Sequence, residues 1–243
     1  GSECPTGVDM ARMKIEVLAQ KHLSKRPAFH DQVIAYFPRY APVVSRLWFL
    51  ANQGKKIPGI GKICEWLFGL DAKQDLPQWA SPKSVNRFRD RQDSVSTPSV
   101  VIFADCFNTY FEPENLEAAC RVLNAAGYQV HIAQPKTGTR PLCCGRTFLS
   151  NGMIIEAREE CMRLLDALLP FAKQGLPIIG LEPSCLLTLR DEIKSLIPGP
   201  DSDLVASRAV LLEEFIADQI EIGKFNLKLK KLPVKKALLH GHC

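Results

Sequence analysis

The hydrophobic and polar positions divide the chain into two parts with different periods. Up to residue 70, apolar residues recur at helical spacing among charged ones, over residues 4–25, 29–53 and 60–70. From residue 98 onward, short continuous apolar runs alternate with longer amphipathic stretches. The first part therefore predicts helices alone, whereas the second predicts alternating strands and helices around a sheet.

Prolines mark the breaks within and after the helical part. Pro38 and Pro42 interrupt the apolar stretch of residues 29–53. Because proline in a helix interior costs about 3 kcal/mol, we expect two short helices or a kink there. Pro77 and Pro82 then stand among polar residues, which predicts an extended linker over residues 71–97.

Three short apolar runs in the second part are candidate strands. They cover residues 100–103, 128–133 and 176–180. Continuous apolar runs of this length are typical of strands that are buried on both faces of a parallel sheet.

Amphipathic helices are predicted between and after these strands. The expected helices run from Pro113 to Gly127, from residues 151–153 to a break or kink at Pro170, onward from Pro183, and over 205–222. We therefore expect an α/β fold, with an all-helical segment over residues 1–70 and a parallel-sheet α/β domain over 98–232.

Composition and charge narrow the class of protein. The chain has 243 residues, of which 46% are hydrophobic and 23% charged, as in a folded soluble protein. Its net charge of +5 is mild and spread out, so we expect no nucleic-acid partner. No run of about 18 apolar residues and no export signal is visible. We expect a cytoplasmic location, either free or at the inner face of the membrane.

Four cysteines follow the candidate strands. Cys106 follows the first strand, Cys143 and Cys144 lie in the loop after the second, and Cys185 lies just after the third. The loops at the carboxyl edge of a parallel sheet converge on one crevice. Since thiolates are the natural ligands of zinc and of iron–sulfur clusters, these four residues predict a metal centre.

Residues beside the cysteine pair suit a cofactor of that kind. Gly145 would let backbone amides approach a cluster sulfur without an intervening side chain. Arg140 and Arg146 would offset the charge of a centre with several thiolates. We expect these three residues to contribute to cofactor binding.

Simple packing is the other interpretation of a cysteine. Cys64, Cys120 and Cys161 lie on apolar helical stripes and are predicted to pack as small hydrophobic residues. Packing explains Cys143 and Cys144 less well, because two adjacent side chains cannot both point into one core from a regular strand.

The cysteine motifs resemble a known family. Cys106, the Leu-Cys-Cys-Gly run at 142–145 and the Pro-Ser-Cys turn at 183–185 resemble the cysteine-rich CCG domain of iron–sulfur oxidoreductases. Within that family, the chain looks like the C-terminal half of FAD-linked D-2-hydroxy-acid dehydrogenases of the D-lactate, glycolate or D-2-hydroxyglutarate type. The resemblance implies an electron-transfer module that binds a 4Fe–4S cluster and passes electrons to a quinone or cytochrome.

Both ends of the chain extend this resemblance. Residues 3–9 resemble the end of a ferredoxin-type 4Fe–4S motif, which makes Cys4 a cluster ligand and residues 1–70 the end of that domain. Residues 233–243 look like the start of a second CCG copy, with Cys243 as its first ligand. We therefore expect a fragment that is inactive alone and works with a flavin domain of the same or a partner chain.

One position departs from the family pattern and leaves alternatives open. Glu182 stands where the fullest motif has a further cysteine, so a four-cysteine cluster or zinc fits better than a five-cysteine cluster. The first alternative is a zinc-binding interaction domain that uses the same four ligands. The second is a redox-inert scaffold with free cysteines that docks on a membrane through residues 29–53.

Overall fold

The computed structural model describes residues 9–53, 77–81, 98–138 and 140–225, with single residues at 62, 65, 227, 233, 236 and 238. Nearly all of the predicted helix over 60–70, most of the predicted linker, and nearly all of segment 233–243 lie outside this part of the chain. So do Cys4, Cys64 and Cys243.

The described elements begin with four helices and continue as alternating strands and helices. The helical segment contains α1 (Met10–Ser24), α2 (Phe29–Ala35), α3 (Phe37–Arg46) and α4 (Trp48–Gln53). The second part contains β1 (Ser99–Phe103), α5 (Cys106–Tyr110), α6 (Pro113–Ala125), β2 (Gln129–Ile132), α7 (Arg146–Leu149), α8 (Ile154–Lys173), β3 (Ile178–Gly180), α9 (Pro183–Arg190), α10 (Glu192–Leu196), α11 (Pro200–Arg208), β4 (Ala209–Leu211) and α12 (Leu212–Glu221).

The four strands form one parallel sheet in the order β2-β1-β3-β4. Val101 of β1 pairs with His131 of β2 on one side and with Ile178 of β3 on the other. The parallel sheet with its helices confirms the predicted α/β fold.

Alternate residues of each strand enter two separate cores. Val101 and Phe103 pack with Leu164 and Leu168 of α8 on one face of the sheet. Val100 and Ile102 pack on the opposite face, with residues of α6 and with Phe215 of α12. The sheet is therefore the middle of three layers, which explains why its strands are continuously apolar in sequence.

The connections change face between β1 and β3. Helix α6 connects β1 to the edge strand β2 on one face of the sheet. Helix α8 then connects β2 to β3, on the other side of β1, and packs on the opposite face. Such a topological switch point opens a crevice beyond the carboxyl ends of the strands, where α/β proteins commonly bind their ligands.

The helical segment packs against the same end of the sheet. Ala35 joins Phe148 and Met153 in one cluster, and Phe37 joins Cys106 and Cys143 in another. The ring of Phe37 stacks on Phe107, with 5.4 Å between ring centroids. These contacts place α3 beside the loops that carry the cysteines.

Pro42 and Pro170 do not break their helices, in contrast to the expectation from the sequence. Pro42 lies inside α3, and the breaks fall instead at Tyr36 and Leu47, so three short helices cover residues 29–53. Likewise α8 continues past Pro170 to Lys173. Both helices bury one face against the rest of the molecule, and such packing outweighs the loss of a single backbone hydrogen bond.

The prediction of a single helix over 205–222 was wrong. Residues Ala209–Leu211 form β4, which pairs in parallel with β3 and separates α11 from α12. Three apolar residues are too short a run to distinguish from a helical stripe, so only the pairing with β3 reveals the strand.

Within the described part of the chain, no helix combines the length and the hydropathy needed to cross a membrane.

Candidate functional site

Four cysteines line one cavity at the carboxyl edge of the sheet. Its volume is about 240 Å³, and Cys106, Cys143, Cys144 and Cys185 all border it. Each of the four is at most 5% exposed. The remaining lining residues are Pro38, Phe107, Arg146, Thr147, Ser150, Glu182 and Ser184. The four strand-end cysteines thus lie together, at the place where the parallel sheet predicts a ligand crevice.

Cys106 is positioned by the cap of α5. The buried Asp105 carboxylate accepts hydrogen bonds from the backbone amides of Phe107 and Asn108, at 2.9 and 3.0 Å, and from the Asn108 side chain at 2.7 Å. Burial raises the pKa of Asp105 to about 6. The Cys106 thiol donates to the Leu142 carbonyl at 3.4 Å, which joins the first cysteine loop to the second.

Cys143 and Cys144 lie in an irregular segment before α7. Gly145 follows them with a φ of 79°, in the left-handed region that glycine adopts without strain. A Cβ atom at Gly145 would lie 2.7 Å from the carbonyl oxygen of Ala157 in α8. The Gly145 amide donates to the Cys143 sulfur at 3.3 Å. The turn therefore needs glycine both for its conformation and for its close approach to α8.

Cys185 belongs to the first turn of α9. The Glu182 side chain caps this helix and accepts a hydrogen bond from the Cys185 amide at 2.9 Å. The sulfur atoms of Cys185 and Cys144 are 3.2 Å apart. Glu182 thus acts as a helix cap at the mouth of the cysteine cavity.

The thiols differ in their tendency to ionise. Hydrogen bonds from Cys143 and Cys185, together with the nearby amide and charge of Arg146, hold the pKa of Cys144 well below its usual value. Hydrogen bonding with Cys106 and Cys144, and burial, raise the pKa of Cys143. The pKa of Cys185 is raised mainly by its interaction with Cys144. The cavity therefore favours one thiolate, at Cys144, that accepts from neighbouring thiols.

The two arginines near the cysteine pair have different surroundings. Arg146 lines the cavity and also pairs with Glu192 at 2.8 Å. Arg140 is not among the lining residues; its guanidinium pairs with Glu160 of α8 at 2.6 Å. Arg146 thus supplies positive charge at the cavity wall, whereas the charge of Arg140 is directed to a buried carboxylate.

Sequence reasoning missed Glu160, which is fully buried. The signal was present, because Glu160 lies on the same helical stripe as Ala157, Cys161 and Leu164, at positions i, i+3, i+4 and i+7. Cys161 lies on that stripe as predicted, and its thiol donates to the Cys144 carbonyl at 3.1 Å. Burial raises the pKa of Cys161, so this side chain remains a thiol.

The four thiols are suitable ligands for a metal, but the sulfurs of Cys144 and Cys185 lie too close together to bind one in their present positions. Over the described residues, no group of three or more His, Cys, Asp or Glu side chains is arranged to hold a metal ion. The 3.2 Å between the sulfurs of Cys144 and Cys185 is shorter than the roughly 3.8 Å edge of a tetrahedron with zinc–sulfur bonds of about 2.3 Å. A metal would require the sulfurs to separate, and the adjoining cavity offers room for that movement.

Comparison with known proteins relates the chain to dehydrogenases. It is 22% identical over 233 residues to the D-2-hydroxyglutarate dehydrogenase of Escherichia coli (strain K12), across 90% of this chain and 22% of that protein. The proteins of the same name from Pantoea ananatis (strain AJ13355) and Haemophilus influenzae (strain ATCC 51907 / DSM 11121 / KW20 / Rd) are 21% and 18% identical, across 90% and 95% of this chain and 22% and 23% of those proteins.

The chain thus spans less than a quarter of the length of these curated relatives. No protein-family model matches the chain. No solved structure matches it either. The similarity supports a relationship to this dehydrogenase family.

Proposed function

We propose that this chain is the iron–sulfur electron-transfer module of a FAD-linked dehydrogenase that oxidises a 2-hydroxy acid. The observation that carries the proposal is the cavity where four thiols from three strand-end loops meet. The names of the relatives supply the substrate class, since D-2-hydroxyglutarate is a 2-hydroxy acid. The resemblance to the CCG family supplies the cluster.

In this proposal Cys106, Cys143, Cys144 and Cys185 hold a 4Fe–4S cluster, which would carry single electrons. Cys144 would supply a thiolate most readily, because hydrogen bonds from Cys143 and Cys185 hold its pKa below the usual value. The other three thiols would release their protons on binding, as metal ligation by cysteine requires. Pro38 and Phe107 contribute apolar surface to the wall of this cavity.

Charge and amide dipoles around the cavity would set the reduction potential. Arg146 is the lining cation in the described structure, and it lies beside the Cys144 sulfur. Positive charge near a poly-thiolate centre stabilises its reduced form, so Arg146 raises the potential in this scheme.

The remaining partners lie beyond this chain. FAD would sit on a flavin domain of the same or a partner chain, and a quinone or cytochrome would accept the electrons. We place the assembled protein in the cytoplasm, either free or at the inner face of the membrane. The relatives are more than four times as long as the matched region, which leaves room for such domains.

The test is the metal and sulfide content of protein prepared without oxygen. We expect iron and acid-labile sulfide together, with the brown colour of an iron–sulfur protein. Cys144→Ser should lose both, because a hydroxyl is a poor substitute for a thiolate ligand. Cys120→Ala is the matched control: Cys120 is equally buried but packs in the core on the opposite face of the sheet, so this variant should keep both.

A zinc-binding interaction domain is the second candidate. The observation in its favour is that the sulfurs of Cys144 and Cys185, now 3.2 Å apart, would need to separate only to the roughly 3.8 Å edge of a tetrahedral zinc site. Stoichiometric zinc without sulfide in the same preparation would establish this candidate and reject the electron-transfer proposal. Protein without metal or sulfide under these conditions would reject both.

A further inference from the structure

A buried carboxylate lies at the centre of an arginine cluster behind the cysteine pair. Glu160 is fully buried, and its oxygens pair with three guanidinium groups. The distances are 2.6 Å to Arg140, 2.8 Å to Arg163 and 3.2 Å to Arg39. A buried charge is stable only when it is paired and hydrogen-bonded, and here both carboxylate oxygens have partners.

The arginines extend this cluster to the backbone of the cysteine loop. Arg163 donates to the carbonyl oxygens of Arg140 and Pro141, at 2.9 and 3.5 Å. The forked guanidinium can bind the carboxylate and the backbone at the same time, which a lysine ammonium cannot reproduce. Glu160 therefore fixes the segment that leads into Cys143 through Arg140 and Arg163.

Side chains also hold the rest of the loop. The Leu142 carbonyl accepts from the Cys106 thiol, and the Cys144 carbonyl accepts from the Cys161 thiol. Four of the five carbonyls from Arg140 to Cys144 thus accept a hydrogen bond from a side chain. Residues 141–144 belong to no helix or strand, so these contacts replace the regular backbone pairing that would otherwise define the loop.

The third arginine connects the cluster to the helical segment. Arg39 of α3 pairs with both Glu160 and the more exposed Glu159, and its guanidinium lies 4.9 Å from the centroid of the Phe148 ring. Its neighbour Pro38 lines the cysteine cavity. Glu160 is thus the point where α3, α8 and the cysteine loop meet.

We infer that Glu160 is a positioning residue for the cysteine centre: through Arg140 and Arg163 it holds the 140–144 loop so that Cys143 and Cys144 face the cavity. The inference rests on the proposed function for its metal, but the positioning of the thiols is a property of the protein alone. Glu160 is not among the residues that line the cavity, so it acts on the cysteine loop through Arg140 and Arg163.

The test compares Glu160→Gln with Glu159→Gln. Both changes neutralise a carboxylate of α8 that pairs with Arg39, but only Glu160 contacts Arg140 and Arg163. In protein carrying the proposed cluster, Glu160→Gln should release iron to a chelator about 10-fold faster than wild type, the lower end of the 10- to 100-fold loss of affinity that is typical when a group bonded directly to a metal ligand is removed. Its reduced cluster should also give a changed electron paramagnetic resonance spectrum, which a loss of global stability alone would not produce. Glu159→Gln should match wild type in both measurements.

A second variant and a measurement on metal-free protein still test the inference if Glu160→Gln does not fold. Arg163→Lys keeps a positive charge beside Glu160 but loses the forked contact with the loop carbonyls, so it should shift iron release and the spectrum in the same direction. In reduced, metal-free protein, both variants should expose Cys143 and Cys144 to a thiol-specific disulfide reagent faster than wild type and Glu159→Gln do.

The outcomes separate the two proposals. Wild-type protein without iron and sulfide would reject the proposed function, while the labelling rates would still decide the role of Glu160. Wild-type rates of iron release, an unchanged spectrum and wild-type labelling in a folded Glu160→Gln and in Arg163→Lys would overturn the positioning role and leave the proposed function intact.

Discussion

Gly145 is the residue where backbone conformation and close packing coincide. Its left-handed φ would cost alanine about 1–2 kcal/mol, and the added Cβ would meet the Ala157 carbonyl at 2.7 Å. Overpacking of that kind adds about 1–3 kcal/mol. We therefore expect Gly145→Ala to lower the free energy of unfolding by the sum of both costs, as measured by chemical denaturation.

Gly138→Ala is the matched control for this prediction. Gly138 has a similar φ of +74°, but among the described residues, its chain neighbours aside, no atom lies within 4 Å of the position its Cβ would take. It should carry only the conformational cost. Equal losses of stability in the two variants would show that the approach of the Gly145 turn to α8 is not tight.

At this scale the sequence identifies the cysteines but not their environment. The meeting of Cys106, Cys144 and Cys185 follows from strand order, because parallel strands deliver their loops to one edge. The orientation of Arg140 does not follow, because the helical stripe that indicates a buried Glu160 does not show which cation pairs with it. The prediction that Arg140 contributes to cofactor binding stays a prediction, and the structure suggests an indirect route for it.

Single charge pairs also join helices to one another, as at the start of α12. Glu214 accepts from the Leu211 amide at 2.9 Å and pairs with Arg190 at the end of α9. The hydrogen bond from Arg190 holds the pKa of Glu214 below its ordinary value of 4.5. A lowered carboxyl pKa contributes stability that is present above the unfolded value and is lost as the pH falls through the folded value.

Glu214→Gln should remove that contribution. We expect the variant to unfold more easily than wild type at pH 7, by up to about 1 kcal/mol because the carboxylate is partly exposed and screened. The difference should shrink as the pH falls below 4.5 and vanish below the lowered pKa, when both side chains are neutral. Denaturation curves across that range measure it.

Glu213→Gln is the control, since it removes a charge from the same first turn of α12 without breaking the pair with Arg190. Any interaction with the helix dipole is common to both carboxylates and cancels in the comparison. A pH-independent effect of Glu214→Gln would contradict the assigned role of the pair.

The elements themselves were predicted well where their patterns were long. Strands β1 to β3 and helices α6, α8 and α9 lie where the apolar runs and helical stripes place them. The failures were short or context-dependent. β4 follows α11 directly, inside a longer amphipathic stretch, so its identity depends on pairing with β3. Pro42 and Pro170 remain in helices because burial elsewhere on those helices outweighs the local cost.

The arrangement of the whole molecule depends on contacts that no local pattern encodes. The helical segment reaches the cysteine edge through aromatic stacking of Phe37 on Phe107 and Phe111, with centroids 5.4 and 5.2 Å apart. The spacing of these three residues along the chain does not predict that they meet. Pro38 of the helical segment and Phe107 both line the cavity, so the site is built jointly by the two parts of the chain.

The last prediction concerns what the chain can do alone: it should oxidise no 2-hydroxy acid. Removing hydride from a C–H bond is chemistry for a flavin or nicotinamide, whereas thiolate-bound iron moves single electrons. The sequence has no glycine-rich nucleotide loop, and cysteines line the sheet edge where α/β folds commonly bind such cofactors. The purified chain, loaded with the proposed cluster, should therefore exchange electrons with a one-electron dye yet show no turnover with D-lactate, glycolate or D-2-hydroxyglutarate. Turnover should appear once a flavin domain is joined to it. Substrate-dependent dye reduction by the chain alone, free of added flavin, would mean that oxidation occurs on this domain and that its cysteines are not a relay.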